Sequence, residues 1–316
     1  MHKRKLGNSG IETAPLALGG NVFGWTVDEP MAFKICDAFS QAGLNLIDTA
    51  DSYSRWVAGN RGGESETIIG KWLKRSGRRN EIIIATKVGS EMGQTKRGLS
   101  KAYILHAVEE SLKRLQTDHI DLYQSHYDDP DTPMEETLAA YGELVKQGKV
   151  RTIGASNFSA SRLSMALRIS KDQGLPAYEC LQPRYNLYDR ADYEQSLEPL
   201  CRTRGLGVIT YYSLASGFLT GKYRSEKDLS ISVRGQGIKL YLNARGLRIL
   251  DALDQVAKRY DTVPSSVALA WLMGRPGITA PIASATTLEQ LNDLIAATKL
   301  ELDQESLGLL TKASDN

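Results

Sequence analysis

Three side chains capable of acid–base chemistry stand at the ends of short runs rich in apolar residues. They are Asp48, Lys87 and His126, and Tyr53 follows Asp48 after a short polar stretch. A carboxylate, an ammonium, an imidazole and a phenol have ordinary pKa values between about 4 and 10, so together they can hold and transfer protons. An ammonium beside apolar sequence also needs a counter-charge, because burying an unpaired charge is costly. Asp48 can supply that charge, and the set indicates a proton-transfer site.

Each of these residues, taken alone, also has a purely structural interpretation. An aspartate at a strand end often caps a turn or a helix, as Asp48 would. A single histidine such as His126 is more often a hydrogen-bonded structural residue, and a single tyrosine such as Tyr53 usually packs in a core. Lys87 is harder to explain in this way. The functional interpretation therefore depends on whether the fold brings the four together.

Three later apolar runs also end in polar residues. These residues are Ser156, Asn157, Gln182, Tyr211, Tyr212 and Ser213. Six consecutive strands would then deliver polar groups to one rim. That arrangement is typical of the carboxyl-terminal face of an α/β barrel, where active sites lie.

The elements that must position these residues are short β-branched runs that alternate with longer amphipathic segments. Eight such runs can be counted, at residues 15–18, 44–47, 82–85, 120–123, 150–153, 178–181, 208–210 and 278–282. No linker rich in proline, glycine or serine interrupts the alternation. We therefore predict a single (β/α)8 TIM barrel that occupies residues 1–316 as one domain, with long loops at its carboxyl-terminal face. An open, doubly wound sheet would have a similar local pattern.

Local signals give some of the element boundaries. Residues 5–13 contain a turn-prone stretch and predict an amino-terminal β-hairpin that caps one barrel end. The run Thr132-Pro133-Met134-Glu135 predicts a helix over 133–146 that begins with a capping box.

Composition limits the partners that this chain can attract. Its 316 residues are 41% hydrophobic and 24% charged, with a formal net charge of +2, so a large core can form and no strong field attracts nucleic acid or a membrane surface. Three separated cysteines and four histidines suggest neither disulfides nor a metal site. The amino terminus lacks the apolar run of a signal peptide, and no stretch has membrane-spanning length, so we expect a cytoplasmic protein.

Several motifs of the sequence resemble those of the aldo-keto reductase superfamily, and the resemblance extends over nearly the whole chain. The motifs are Asp48-Thr49-Ala50-Asp51-Ser52-Tyr53, Thr86-Lys87, Ile120-Asp121-Leu122-Tyr123-Gln124-Ser125-His126 and Gly154-Ala155-Ser156-Asn157-Phe158. The resemblance implies a catalytic tetrad of Asp48, Tyr53, Lys87 and His126 that reduces a carbonyl with hydride from a nicotinamide cofactor. Tyr53 would donate the proton. The bacterial-type and potassium-channel-β-subunit-like branch is the most similar.

The resemblance also implies a cofactor that lies extended across the barrel rim. No GxGxxG motif opens a helix after a strand, and the run at 19–24 has the wrong spacing. The resemblance instead implies that the nicotinamide stacks on Tyr211 and that the loop at 214–223 covers the pyrophosphate. The expected cofactor contacts are Gly20, Ser156, Asn157, Gln182, Tyr211, Tyr212, Ser213, Leu214, Ser216, Gly217, Leu219, Lys222, Arg234, Ser284, Thr286 and Gln290.

The sequence departs from the family pattern at three places near the cofactor. Tyr212-Ser213 replaces the usual Ser-Pro, and Leu294 stands where many members have an asparagine that binds adenine. Gln290 stands where some members have an arginine for the 2′-phosphate, which leaves Arg234 or Lys222 to bind that group. We expect NADPH to be preferred to NADH.

The loops that follow the strands should bind a small-molecule carbonyl substrate. These loops span residues 54–63, 89–98, 127–132 and 224–242, and the side chains of interest are Trp25, Trp56, Tyr127, Tyr188, Arg55, Arg61 and Arg97. The aromatic residues can form stacking walls and the arginines can meet an anionic substrate, although all of them also fit an ordinary solvated surface. The sequence predicts no oligomeric state, because helix faces on a barrel exterior look alike whether they meet solvent or a second subunit.

Two other functions remain open on the sequence. Some relatives of this fold bind NADPH tightly, turn over slowly and act on a partner protein, so the chain can be a nucleotide-binding regulatory subunit. Alternatively, Lys87 can be the Schiff-base lysine of a barrel aldolase. Tight NADPH binding without turnover of aldehydes would favour the regulatory subunit over the reductase. Trapping of a Schiff base with borohydride would favour the aldolase.

Overall fold

A computed structural model describes residues 2–93 and 97–315. Residues 94–96 of the predicted substrate loop at 89–98 lie outside the described residues, as do Met1 and Asn316. Two short strands, β1 (Arg4–Lys5) and β2 (Glu12–Thr13), pair antiparallel and confirm the predicted amino-terminal hairpin.

Eight parallel strands follow the hairpin and close into a barrel. They are β3 (Ala17–Gly19), β4 (Leu46–Asp48), β5 (Ile83–Val88), β6 (Ile120–Ser125), β7 (Val150–Ser156), β8 (Tyr178–Gln182), β9 (Gly207–Thr210) and β10 (Ile278–Ala283). Each strand pairs with its neighbour in sequence, and β10 pairs with both β9 and β3. The (β/α)8 barrel is confirmed, and the open sheet is excluded because the eight strands form a closed ring.

Ten α-helices surround or extend the barrel in the described part of the chain. They are α1 (Glu29–Gln41), α2 (Glu64–Ser76), α3 (Lys101–Leu115), α4 (Met134–Lys146), α5 (Ala160–Gln173), α6 (Glu198–Arg204), α7 (Ala244–Arg259), α8 (Pro264–Met273), α9 (Leu288–Ala297) and α10 (Gln304–Ala313). Their buried faces pack on the outer side of the strands and form the main hydrophobic core. Residues 214–242 fold instead into short 3-10 turns over the carboxyl-terminal face.

The hairpin fills the amino-terminal end of the barrel. Leu6 and Ile11 belong to the same buried cluster as inward-facing strand residues such as Leu46, Leu122 and Ile209. The chain passes so close to the barrel that a Cβ atom on Gly7 would lie 2.2 Å from a backbone oxygen of β8, and only glycine is accommodated there. The hairpin therefore closes this end of the barrel.

The predicted capping box of α4 is wrong. The helix begins at Met134, and Pro133 is the N-cap without a side-chain hydrogen bond. The Thr132 hydroxyl instead donates to the Asp129 carboxylate at 2.7 Å. Asp129 also accepts from the Leu99 backbone amide at 2.7 Å, so a charged acceptor in the preceding loop takes the hydroxyl that was expected to cap the helix.

Two searches of the described residues gave no candidates. No helix among them is long and apolar enough to cross a membrane. No group of three or more histidine, cysteine or acidic side chains among them could hold a metal ion. All three cysteines are free and buried.

Candidate active site

Lys87 contacts two of the other three predicted catalytic residues. Its ammonium donates to the Asp48 carboxylate at 2.7 Å, to the Thr49 carbonyl at 2.7 Å and to the Tyr53 hydroxyl at 3.3 Å. The Lys87 side chain is 0% exposed, so these acceptors replace water around all three N–H donors. Neighbouring parallel strands bring the groups together, because Asp48 ends β4 and Lys87 lies near the end of β5.

The pKa values of Lys87 and Tyr53 show which proton each residue holds. Burial lowers the pKa of Lys87, but the Asp48 carboxylate and the Tyr53 hydroxyl outweigh it and raise this pKa above the ordinary value. Burial raises the pKa of Tyr53, and this effect exceeds the lowering by Lys87. At neutral pH the site therefore holds a charged ammonium against a protonated phenol.

His126 follows β6 and lies beside Tyr53. The two ring centroids are 5.9 Å apart, and the Tyr127 ring stacks on the imidazole with a centroid distance of 4.9 Å. Burial, followed by the charge of Lys87, lowers the pKa of His126 to about 3. The imidazole is therefore neutral at physiological pH, and its buried Nδ1 has no hydrogen-bond partner among the described residues.

The second carboxylate oxygen of Asp48 is held by two amides. Gln182 Nε2 donates to it at 2.8 Å and Gln124 Nε2 at 3.3 Å, and the two amides are joined at 3.2 Å. Gln182 lines the cleft as expected, but its amide nitrogen is directed at Asp48. Gln124 was missed by the sequence analysis, although a glutamine inside an apolar strand is a signal that a buried polar partner is near.

A second buried carboxylate contacts the residue before Lys87 in β5 and was also missed. Glu66, on α2, accepts from the Thr86 hydroxyl at 2.5 Å and from Arg114 Nε at 2.7 Å. Asp51 is buried nearby, and burial followed by the charge of Glu66 raises its pKa well above the ordinary value. The Asp51 Oδ1 atom has no hydrogen-bond partner among the described residues.

A cleft of about 1950 Å³ opens above these residues at the carboxyl-terminal face. Asp48, Tyr53 and His126 lie at its floor, and Lys87 is covered by them. The predicted cofactor residues that line the cleft are Ser156, Asn157, Gln182, Tyr211, Tyr212, Ser213, Leu214, Ser216, Gly217, Lys222, Arg234, Ser284, Thr286 and Gln290. Gly20 and Leu219 do not line it, because Gly20 is covered by the hydroxyl of Ser65 and the Leu219 side chain is buried in the core.

Hydrogen bonds order the cleft wall next to His126. The Tyr211 hydroxyl donates to Asn157 Oδ1 at 2.7 Å, and Asn157 Nδ2 donates to the His126 carbonyl at 2.9 Å. The Ser156 hydroxyl donates to the Gln182 carbonyl at 2.9 Å. This wall presents amides and one face of an aromatic ring, groups suited to a planar carboxamide-bearing ring.

The cleft also has cationic lining residues. Lys222 and Arg234 line it, and neither has a carboxylate within 4.0 Å in the part of the chain that the structure describes. The Arg234 guanidinium lies 4.9 Å from the Trp25 ring centroid, and its buried Nη2 has no hydrogen-bond partner among those residues. Burial lowers the pKa of Arg234. An orphaned, buried guanidinium nitrogen in a cleft that Lys222 also lines fits the phosphate groups of a dinucleotide.

The predicted cofactor residues Ser284, Thr286 and Gln290 lie near the start of α9, and the Gln290 side chain already has partners within the chain. Gln290 Oε1 accepts from the Thr286 backbone amide at 2.9 Å and from the Thr286 hydroxyl at 3.1 Å, so this side chain closes the start of α9. The Ser284 hydroxyl donates to Asn21 Oδ1 at 2.6 Å, which makes Asn21 a further cleft residue that the sequence analysis did not select.

The predicted substrate residues divide into two groups. Trp25, Trp56, Tyr127 and Arg55 line the cleft. Tyr188, Arg61 and Arg97 lie outside it. Arg184, which was not predicted, also lines the cleft.

Residues 15–315 match the model of the Aldo/keto reductase family. The chain is 37% identical over 313 residues to the uncharacterized oxidoreductase YrpG of Bacillus subtilis, covering 96% of this chain and 93% of that protein. It is 34% identical over 321 residues to the aldo-keto reductase YhdN of the same organism, covering 96% and 91%. It is also 32% identical over 330 residues to the "Putative voltage-gated potassium channel subunit beta" of Schizosaccharomyces pombe, covering 99% and 92%.

Proposed function

The chain belongs to the aldo/keto reductase family, and from that premise we propose that it is an NADPH-dependent reductase of aldehydes, ketones or sugar-derived carbonyls, with Tyr53 as the proton donor. The family supports an oxidoreductase of the carbonyl-reducing kind. The observation that carries the residue assignment is the contact of Lys87 with both Asp48 and the Tyr53 hydroxyl. A phenol paired with a buried ammonium can release its proton more readily than a phenol in an apolar pocket.

The four residues divide the acid–base work among them. Tyr53 donates its proton to the carbonyl oxygen, and Lys87 stabilises the phenolate that remains. Asp48 keeps the ammonium charged and in place. Neutral His126 can donate a hydrogen bond to the carbonyl oxygen, which orients the substrate without adding a competing charge. The bound dihydronicotinamide supplies the hydride.

Residues of the cleft wall would hold the cofactor. Ser156, Asn157 and Gln182 stand where the carboxamide is expected, and Tyr211 offers its face to the nicotinamide. Lys222 and Arg234 are cations without acidic partners, which supports binding of phosphates and a preference for NADPH over NADH. Ser284, Thr286 and Gln290 would lie along the adenosine.

The alternative functions receive less support from the site. A Schiff-base lysine must be a neutral nucleophile, whereas Lys87 is buried and held charged by Asp48 and Tyr53. A regulatory subunit remains a second candidate because of the Schizosaccharomyces pombe relative. Tight NADPH binding with no oxidation in the presence of a panel of aldehydes would favour that candidate.

The free cysteines support a cellular compartment, and the closed barrel supports a domain organisation. Three free, buried cysteines support a reducing compartment and thus a cytoplasmic protein. The closed barrel and the family match over residues 15–315 support a single domain.

The decisive experiment is the Tyr53→Phe substitution, which removes one hydroxyl and keeps the ring. We expect kcat for aldehyde reduction to fall about 100-fold to 10000-fold, the usual contribution of a general acid. The dissociation constant for NADPH, from fluorescence titration, should change less than about twofold because the hydroxyl is not a predicted phosphate contact. Tyr260→Phe is the matched control, since its hydroxyl accepts from the Asp303 amide far from the cleft. Retention of most of the turnover by Tyr53→Phe would refute the assignment.

A further inference from the structure

The cleft carries more positive charge than its own acids neutralise. Its cationic lining residues are Arg55, Arg184, Lys222 and Arg234, and none has a carboxylate within 4.0 Å among the described residues. Of the acids that line the cleft, Asp48 is already paired with Lys87, which leaves Glu91 and Asp293. The cleft is therefore built for anions.

These cations lie in different parts of the cleft. Lys222 and Arg234 belong to the segment after β9 that is expected to meet the cofactor phosphates. Arg184 lies two residues beyond Gln182, the last residue of β8, and its backbone forms a bridge with that of Tyr211. Arg184 is therefore on the wall expected to hold the nicotinamide, where the carbonyl substrate must lie. An anion bound by Arg184 would belong to the substrate.

The Arg184 guanidinium is held next to the Tyr211 hydroxyl and the Tyr212 ring, and it forms no ion pair among the described residues. Its central carbon lies 4.8 Å from the centroid of the Tyr212 ring, which limits its orientation. Asp189 is an acidic neighbour of Arg184, and its Oδ2 accepts from Asn186 Nδ2 at 2.9 Å and from the Tyr241 hydroxyl at 3.1 Å. No ion pair within 4.0 Å joins Asp189 to Arg184. The planar fork of the guanidinium thus remains able to bind a carboxylate or phosphate through two hydrogen bonds.

Arg55, the other cation outside the cofactor segment, is less available. Its Nη1 donates to the Glu91 carbonyl at 2.7 Å, so one arm of its guanidinium is already used. Arg61 and Arg97, the other arginines that the sequence analysis considered, do not line the cleft. Arg184 is therefore the side chain with the strongest case for binding a substrate anion.

The same cleft also exposes apolar surface. Large side chains with high exposure line it: Trp56 at 49%, Tyr127 at 50%, Tyr212 at 44% and Val233 at 71%. Exposed apolar surface gathered around one cleft marks a binding surface. On the basis of the proposed reductase function, we propose that the site selects carbonyl compounds with a flat apolar body and a carboxylate or phosphate, and that Arg184 binds this anion.

The test compares two aldehydes that share a ring and a reacting carbonyl but differ in charge. They are 4-carboxybenzaldehyde and its methyl ester, 4-(methoxycarbonyl)benzaldehyde, assayed by NADPH oxidation with the full-length protein. We expect kcat/KM to favour the acid about tenfold, mainly through KM, as for a charge-assisted bidentate contact. The preference should shrink as ionic strength rises. Glyceraldehyde 3-phosphate and glyceraldehyde form a second pair that reports on phosphate.

Variants identify the side chain that is responsible. Arg184→Gln should abolish the preference for the acid over the ester, and Arg184→Lys should restore part of it because the charge returns without the planar fork. Arg61→Gln is the matched control, since it removes an exposed arginine outside the cleft, and it should keep the wild-type ratio. A preference for the phosphate over glyceraldehyde, but not for the acid over the ester, would assign the anion as phosphate.

Three outcomes would contradict this inference. Wild-type protein that reduces both members of both pairs equally well would overturn it and leave the reductase function standing. An Arg184→Gln variant that retains the full preference would also overturn it, because the anion would then bind elsewhere. If none of the aldehydes is reduced, the proposed function fails together with the inference.

Discussion

Lys87 remains charged in a place without water because its surroundings supply three acceptors. Asp48 provides the compensating charge, while the Thr49 carbonyl and the Tyr53 hydroxyl complete the ammonium's hydrogen bonds. A buried ion pair of this kind contributes little net stability, since desolvation offsets the attraction, but loss of one partner leaves an uncompensated charge. The pair is therefore better explained by chemistry at Tyr53 than by stability.

Loss of the Asp48 charge should destabilise the protein strongly. We expect Asp48→Asn to lower the free energy of unfolding by about 3 kcal/mol, because the ammonium then lacks a counter-charge. Lys87→Met alone should cost a similar amount, whereas the double variant should cost clearly less than the sum. Urea unfolding of the four proteins measures this coupling. Additive effects would show that the two charges do not depend on each other.

His126 should make stability depend on pH. Its pKa is about 3 in the folded chain, whereas that of an unfolded histidine is about 6.5, so below pH 6.5 only the unfolded chain takes up this proton. The stability associated with neutral His126 is present above pH 6.5 and is lost as pH falls from 6.5 toward 3. The loss is about 1.4 kcal/mol per pH unit, or about 2 kcal/mol at pH 5.

Urea unfolding at pH 7, 6 and 5 tests this effect. The His126→Gln variant lacks the titrating group, so its free energy of unfolding should decrease less over the same range than that of the wild type. Equal decreases in the two proteins would show that the imidazole takes up its proton in the folded state.

At the scale of the elements, the sequence predicted the type and order of the barrel strands because their periodicity is strong. Boundaries were less well predicted: the first run was expected at 15–18, and β3 is Ala17–Gly19. The start of α4 was mispredicted because Asp129 competes for the Thr132 hydroxyl. Such competition depends on tertiary contacts that no local pattern contains.

The candidate site was predictable to the extent that it lies at strand ends. Asp48, Lys87 and His126 end or follow successive strands, and the structure places them together with Tyr53. Residues that act from inside a strand or from a helix, such as Gln124 and Glu66, were not found. Their partners, Asp48 and Thr86, are distant in sequence or belong to another element, and only the barrel brings them into contact.

Helix α2 depends on a glycine where it crosses α3. A Cβ atom on Gly70 would lie 2.1 Å from the Arg114 carbonyl, a backbone atom that cannot move alone. Gly70→Ala should therefore lower the free energy of unfolding by about 2 kcal/mol or more, in spite of the better helix propensity of alanine. It should also disturb the hydrogen bond from Arg114 on α3 to Glu66, which lies on α2 one turn before Gly70.

The control for this substitution is Gly308→Ala in α10. A Cβ atom there meets nothing within 4 Å, so alanine should stabilise the helix by about 0.5 kcal/mol. Urea unfolding compares the two variants. Equal effects at the two positions would show that the contact between α2 and α3 does not restrict residue 70.

On the scale of the whole molecule, the cleft joins segments that are distant along the chain. Its wall includes Asn21 near the amino-terminal end, Asn157 in the middle, Lys222 and Arg234 after β9, and Gln290 on α9. A ligand that contacts all of them must bind the folded state only, because the unfolded chain holds these segments far apart. Ligand binding should therefore be visible as global stabilisation.

NADPH should raise the melting temperature of the whole molecule. At 100 times its dissociation constant a ligand adds about 2.7 kcal/mol, which for a chain of this length is a shift of about 4 °C. If Lys222 binds a phosphate, Lys222→Gln should weaken binding about tenfold and halve this shift at the same concentration. The control is Lys227→Gln, which removes an exposed lysine outside the cleft and should leave the shift unchanged.

NADH should give a smaller shift than NADPH in the wild type, because it lacks the 2′-phosphate that the unpaired cations can bind. Differential scanning fluorimetry with both nucleotides measures these shifts, and equal shifts for NADH and NADPH would contradict the preference while leaving the tetrad assignment to the Tyr53 experiment.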